Sequence, residues 1–325
     1  MSQPYLFYFS DSLLAENAGI KLKSMHFEVD AILCAFDGIK PLAEELGVEA
    51  PSPRLGGFAY PHVVSLGAQV EFPEDGEPNV FPLIKTPEEI DNLKEPGNYL
   101  AAPLIQKRLK IAAELGKRRK DALSQFIGHG LEGPITSAVL LMGHDFLTLP
   151  YDDPKRAHRL LNFCTESALH YVEALHRHFN GNAPVEPGGR GIPDDFAGML
   201  PPAIFGEFVV PYWNRIYDGL KSTERHLHSE LLREGHLPFL RDLNIKYYDP
   251  SANQYVTPEL LSKKCPCRFK SRIQFWDTRD LTGEQLENLY RKIAGCEPYI
   301  ISFAMGNMNE LGKIKRLLKL AREMA

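Results

Sequence analysis

The stretch "ERHLHSELL", residues 224–232, places His226, His228 and Glu230 at every second position. On an extended strand that spacing turns all three side chains to one side. Imidazole nitrogen and carboxylate oxygen are donors for a borderline cation such as zinc. On spacing alone, a strand-end pair facing solvent, or bonded to each other, is the better account of His228 and Glu230. Two adjacent aspartates, Asp194 and Asp195, follow the strand-like "VEPGGRGIP". Like charges in a partly closed pocket raise each other's pKa and suit proton transfer, whereas aspartate at such a point also caps helices.

Further candidates stand where predicted strands end. His129 in "GHGLEGPIT" could face a substrate, and Phe275, Trp276 and Asp277 in "IQFWDTRD" could supply an aromatic wall, with core packing as the alternative for each. His226 reads as an interior histidine bonded to a neighbour, and His236 in "REGHLPFL" as a helix flank. Cys265 and Cys267 in "CPC" lack the second pair that a structural zinc site requires. "PGGRGIP" lacks the register of a dinucleotide-binding loop.

The elements that must position these residues alternate. "PLIQKRLKIAAELGKRRKDAL" and "DPKRAHRLLNFCTESALHYVEALHRHF" repeat apolar residues at three- and four-residue intervals, as amphipathic helices do. The segments "QFIGHGLEG", "VEPGGRGIPDD", "RHLHSE", "IKYYD", "RIQFWD" and "YIISFAMG" read as strands, most of them followed by a helical stretch. Such alternation implies parallel strands with crossover helices, and a site at the C-terminal ends of the strands. The first hundred residues are broken by Pro and Gly and read as a decorated entrance. A closing helix, capped at Asn309, turns Leu311, Ile314, Leu317 and Leu318 inward.

The 325 residues carry a net charge of −5 and scatter their basic groups, which excludes a phosphate-binding field and a nucleic-acid partner. Five irregularly spaced cysteines fit a reducing cytoplasm better than a disulfide framework. No run reaches the ~18 apolar residues of a membrane span. A soluble, cytoplasmic protein is expected.

Three stretches carry a resemblance. "GPITSAVLLMGHDFL" (133–147) with the helix behind it, "DDFAGMLPPAIFGEFVVPYWNRI" (194–216), and the strand ending in His228 resemble the uroporphyrinogen decarboxylase superfamily. The resemblance implies an α/β protein: a single TIM (β/α)8 barrel over residues 1–325, with an irregular N-terminal region in residues 1–100. The porphyrinogen decarboxylases hold their many carboxylates with N-terminal arginines. Here Arg54 is the one arginine among the first hundred residues.

The His228 strand is similar to the one carrying a zinc-binding His-x-Cys in the cobamide-dependent methyltransferase branch. Glu230 occupies the cysteine position, and Met305 in "SFAMGN" stands where a later cysteine would be, beside the substrate. Glu207, twenty-one residues before His228, resembles a carboxylate ligand of the O-demethylase members, whose further acidic ligand falls here on Ile192. The resemblance thus implies zinc on His228, Glu230 and Glu207, and Asp194 or Asp195 as proton donor to a leaving group. A histidine–carboxylate set donates less charge than thiolates and leaves the metal a stronger Lewis acid, which favours demethylation. The implied partners are a small methylated compound such as a methoxylated aromatic, a corrinoid protein, and a second copy of the chain. Decarboxylation, and a non-catalytic binding barrel, stay open as alternatives.

Overall fold

A computed structural model describes residues 3–127 and 130–325. Strands β1 (Tyr5–Phe9), β4 (Gly188–Pro193), β5 (Ser222–His228), β6 (Ile245–Asp249), β7 (Arg268–Arg272) and β8 (Ile300–Met305) form one curled parallel sheet in the order β1-β8-β7-β6-β5-β4. Strands β2 (Gln69–Glu71) and β3 (Asn79–Phe81) pair separately as an antiparallel hairpin. The expected barrel is present as this six-stranded part. "QFIGHGLEG" does not form a strand among its described residues; Gly128 and His129 lie outside them.

Between β1 and β4 the chain runs irregularly, and one side chain takes over the work of a ladder. Arg108, fully buried in the helix Pro103–Arg118, donates from Nε to the Ile127 carbonyl (2.8 Å) and from Nη2 to the Gly56 carbonyl (2.9 Å). Two backbone acceptors that strand neighbours would have paired are thereby satisfied. The guanidinium also lies over the Phe58 ring. Burial, then the neighbouring Arg108 charge, lower the pKa of His26 to about 4.

Both helices expected from periodicity are present, at Pro103–Arg118 and Pro154–Asn180, and the closing helix spans Leu311–Met324. The closing helix buries Ile314, Leu317 and Leu318 against a core containing Phe303 of β8. A second core joins Leu160, Leu161 and Cys164 of the long helix to Ile192, Leu227 and Tyr248 of the sheet. The cysteines are all free. Among the described residues no helix is long and apolar enough to cross a membrane.

Candidate metal centre

In the sheet, Pro193, His228 and Asp249 are register partners across β4, β5 and β6. Parallel strands in register bring their C-terminal ends to one rim, so whatever follows each partner converges there. Alternation along β5 buries Leu227 in the core and turns His228 to the other side. The rim is tied by backbone and hydroxyl bonds: Asp194 N donates to the His228 carbonyl (2.9 Å), Ser229 N to the Asp249 carbonyl (3.1 Å), and Ser229 Oγ to the Asp194 carbonyl (2.8 Å).

His228 Nε2 lies 3.4 Å from Asp195 Oδ1 and 3.8 Å from Glu230 Oε1, while Nδ1 lies 3.5 Å from Asp249 Oδ2. One donor atom from each of Asp195, His228 and Glu230 falls within 4.8 Å of the other two. Asp195 Oδ1 is buried and has no hydrogen-bond donor. Burial, with the Glu230 and Asp194 charges, raises the Asp195 pKa to about 6 against the opposing pull of His228. Burial disfavours the charged His228 ring, but the hydrogen bond to Asp249 and the carboxylates around it prevail and raise its pKa. Asp249 is held far below the usual carboxylate range: its burial is outweighed by the His228 bond and by Lys270, whose Nζ donates to Oδ2 at 2.8 Å. Arg272 Nη2 stands 3.7 Å from the same oxygen.

Another acid faces this cluster. Glu132 is 5% exposed, its Oε2 has no partner, and burial followed by the Asp195, Asp194 and Glu230 charges pushes its pKa well up. A buried carboxyl without a counter-charge stays protonated at neutral pH. A cavity of about 940 Å³, lined among others by Tyr60, Arg272, Phe275 and Trp276, adjoins the rim through Arg272, which reaches Asp249; Asp195, His228, Glu230 and Glu132 are not in its lining.

The structure separates the two aspartates. Asp194 is fully buried and accepts from Thr136 N (2.7 Å), Thr136 Oγ1 (2.8 Å), Ile135 N (3.3 Å) and Trp213 Nε1 (2.7 Å). Both oxygens are thus engaged, by Trp213 and by the start of the helix Pro134–Met142; burial raises the Asp194 pKa, against these hydrogen bonds, which favour a negative charge. Proton donation to a substrate is therefore reassigned away from Asp194. Its carboxyl sits so close to Gly133 that a Cβ there would fall 2.3 Å from Cγ. Asp195, one residue on, faces the imidazole.

Two other expectations need correction, and a third, His129, lies outside the described residues. Glu207 lies outside the cluster, on an exposed face of the helix Pro202–Phe208, with His158 Nε2 3.3 Å away. The reason is helical phase: Phe205 and Phe208 occupy the buried face. Met305 is fully buried in the β1/β8 core, away from the cavity lining, with its carbonyl accepting from Ser10 N. Its strand is covered on both sides.

Trp276 is 48% exposed and lines the cavity together with Phe275. His226 pairs with Glu224 at 3.1 Å and tilts against Tyr247, and buried His236 flanks its helix, accepting from Arg233 N and bonding the Leu200 carbonyl.

Sequence reasoning missed Asp249, Lys270, Arg272 and Glu132. Asp249 ends the predicted strand "IKYYD", so the strand-end rule applied to His228 would have found it. Glu132 gives no such signal.

The donor set fits zinc: one imidazole and two carboxylates, with the second imidazole nitrogen backed by a carboxylate that fixes ring orientation.

A family model described as uroporphyrinogen decarboxylase (URO-D) matches residues 62–249, a span that contains Asp195, His228, Glu230 and Asp249. A solved methyltransferase from Methanosarcina mazei shares the fold, with a TM-score of 0.69 at 15% identity over 99% of this chain and 94% of that one. No curated protein matches the chain.

Proposed function

Because the chain belongs to the uroporphyrinogen decarboxylase family, we propose that it is a zinc-dependent methyltransferase. It would move a methyl group between a small methylated compound, of which a methoxylated aromatic fits best, and a corrinoid held by a partner protein. The observation that carries this reading is the convergence of Asp195, His228 and Glu230 on one point beside a cavity with an aromatic wall. The shared fold with a methyltransferase supports it.

In this reading Asp195, His228 and Glu230 hold the metal. When bound, zinc supplies a Lewis acid that withdraws electron density from the atom carrying the methyl group. Asp249 accepts a hydrogen bond from the Nδ1–H of His228, which leaves the Nε2 lone pair directed at the donor cluster. Lys270 and Arg272 neutralise Asp249, so that carboxylate stays ionised and does not compete for the proton. Glu132 keeps a proton at the cluster and is the group placed to protonate the departing oxygen or nitrogen. Phe275 and Trp276 offer ring faces to an aromatic donor.

Porphyrinogen decarboxylation is the poorer fit. Arg54, the arginine available in the first hundred residues, already forms a two-point pair with Asp11, at 2.8 and 3.3 Å. A substrate with many carboxylates needs several free guanidinium groups.

The test is metal content followed by turnover. Purified protein is expected to hold about one zinc per chain, as a three-ligand site with an open position would, and His228→Ala to lose it. Cob(I)alamin mixed with the zinc protein and methoxylated donors should give the absorbance of methylcobalamin. Metal-free protein with undiminished activity would overturn the reading.

A further inference from the structure

The "CPC" motif is not absorbed by the rim chemistry. It lies at the opposite end of the sheet, between the helix Pro258–Lys264 and the first residue of β7. Cys265 Sγ and Cys267 Sγ stand 3.6 Å apart, and both side chains are half-buried. They open on a second cavity of about 1130 Å³, which Cys296 also lines. Lys246, Arg268 and Arg291 line the same cavity against one acid, Glu297, so an anionic disulfide entering it meets a basic surface. Pro266 between the two cysteines fixes its own φ and narrows the range of separations that the thiols can sample.

We propose that Cys265 and Cys267 are a reactive dithiol site that exchanges with low-molecular-weight disulfides and closes to a Cys265–Cys267 disulfide. Either sulfur can be the donor across the 3.6 Å contact; with Cys267 donating, Cys265 is the attacking sulfur, because the hydrogen bond it receives favours its thiolate. The Cys265 thiolate attacks one sulfur of the small disulfide, breaking its S–S bond, releasing one thiolate and leaving a mixed disulfide. Cys267 then loses its proton to solvent and attacks Cys265 Sγ, displacing the second thiolate. The pair gives up two electrons and two protons, and the small disulfide leaves as two thiols. Cys296 is buried and hydrogen-bonded to the Lys292 carbonyl, which keeps it out of the exchange.

The experiment equilibrates the full chain in buffers of varied oxidised-to-reduced glutathione ratio, quenches with acid, unfolds the chain, blocks free thiols with an alkylating reagent, and reads the peptides by mass spectrometry. The expected product is a single peptide spanning residues 265–267 that is lighter by two hydrogens and unalkylated, with Cys296 alkylated. Cys267→Ser, or Cys267→Ala should the serine variant not fold, is expected to trap one glutathione on Cys265. Alkylation of both cysteines at every ratio, a link to Cys296 or to a second chain, or a Cys267 variant that takes up no glutathione would each overturn the proposal. These readouts involve no methyl transfer, so the outcome is independent of the proposed function.

Discussion

Asp249 Oδ2 lies 3.5 Å from His228 Nδ1, and its other neighbours, Lys270 and Arg272, are cationic. A carboxylate so placed sets which imidazole nitrogen is free. Asp249→Asn should therefore weaken zinc binding about 10–100-fold while leaving the three first ligands intact. Competition with a chromophoric chelator reads that change directly. An unchanged affinity would mean that Asp249 merely neutralises Lys270.

Asp194 and Asp195 are neighbours in the chain with opposite expected phenotypes. Asp194→Ala strands two backbone N–H groups and the Trp213 indole in the interior, and should cost about 3–5 kcal/mol of stability. Asp195→Ala should instead release zinc with little loss of melting temperature. Chemical denaturation and metal analysis on both variants separate the two roles, and equal metal loss in folded protein would defeat the assignment.

Glu207→Gln should leave zinc content and turnover unchanged, with stability moving by no more than about 0.5 kcal/mol. Its side chain is exposed beside His158. A drop in metal occupancy would return Glu207 to the ligand set.

Two buried histidines should make the fold sensitive to acid, against the raised pKa values of Asp195, Glu132 and His228, which work the other way as pH falls. His26 and His62 are buried, and burial lowers their pKa values to about 4 and about 3, with the Arg108 charge adding to the effect at His26. Unfolded, each titrates near 6.5. Below that value the unfolded chain binds protons that the folded one refuses, so this contribution is complete above about pH 6.5 and is lost as pH falls toward 4 and 3. Between pH 6.5 and 5 the pH dependence of the urea midpoint should differ between His62→Gln and the parent chain, the variant losing less stability, or gaining more, as acid is added, by about 1.4 kcal/mol per pH unit at most. A slope unaltered by that change would assign the acid sensitivity elsewhere.

Arg108→Lys should not rescue Arg108→Met. An ammonium is a single point of donation, whereas the guanidinium reaches the Gly56 and Ile127 carbonyls from two nitrogens at once. Both variants should lose about 2 kcal/mol or more through unpaired buried carbonyls. Full stability in the lysine variant would show that charge alone suffices.

Periodicity located the helices Pro103–Arg118 and Pro154–Asn180, because a one-sided apolar stripe is written in the local sequence. His228 and Glu230 do meet, but β5 ends at His228, so the bend after the strand, and not alternation along it, brings Glu230 to the imidazole. What failed depended on partners distant in the chain. Glu207 was placed by its distance from His228, but which face of a helix packs inward is decided by Phe205 and Phe208. Asp194 and Asp195 looked interchangeable, and only the nearby helix start with Trp213 distinguishes them. Arg108 and Glu132 are charged residues in the interior, where residue type argues against them until the three-dimensional neighbours are known.

Because Pro193, His228 and Asp249 stand abreast, a slip of β5 by one position would present Leu227 where the imidazole belongs. Such a mispaired sheet could not gather the donors. Any cation resident at the rim would consequently favour the correctly threaded chain by mass action, acting as a proofreader of assembly as well as a reagent.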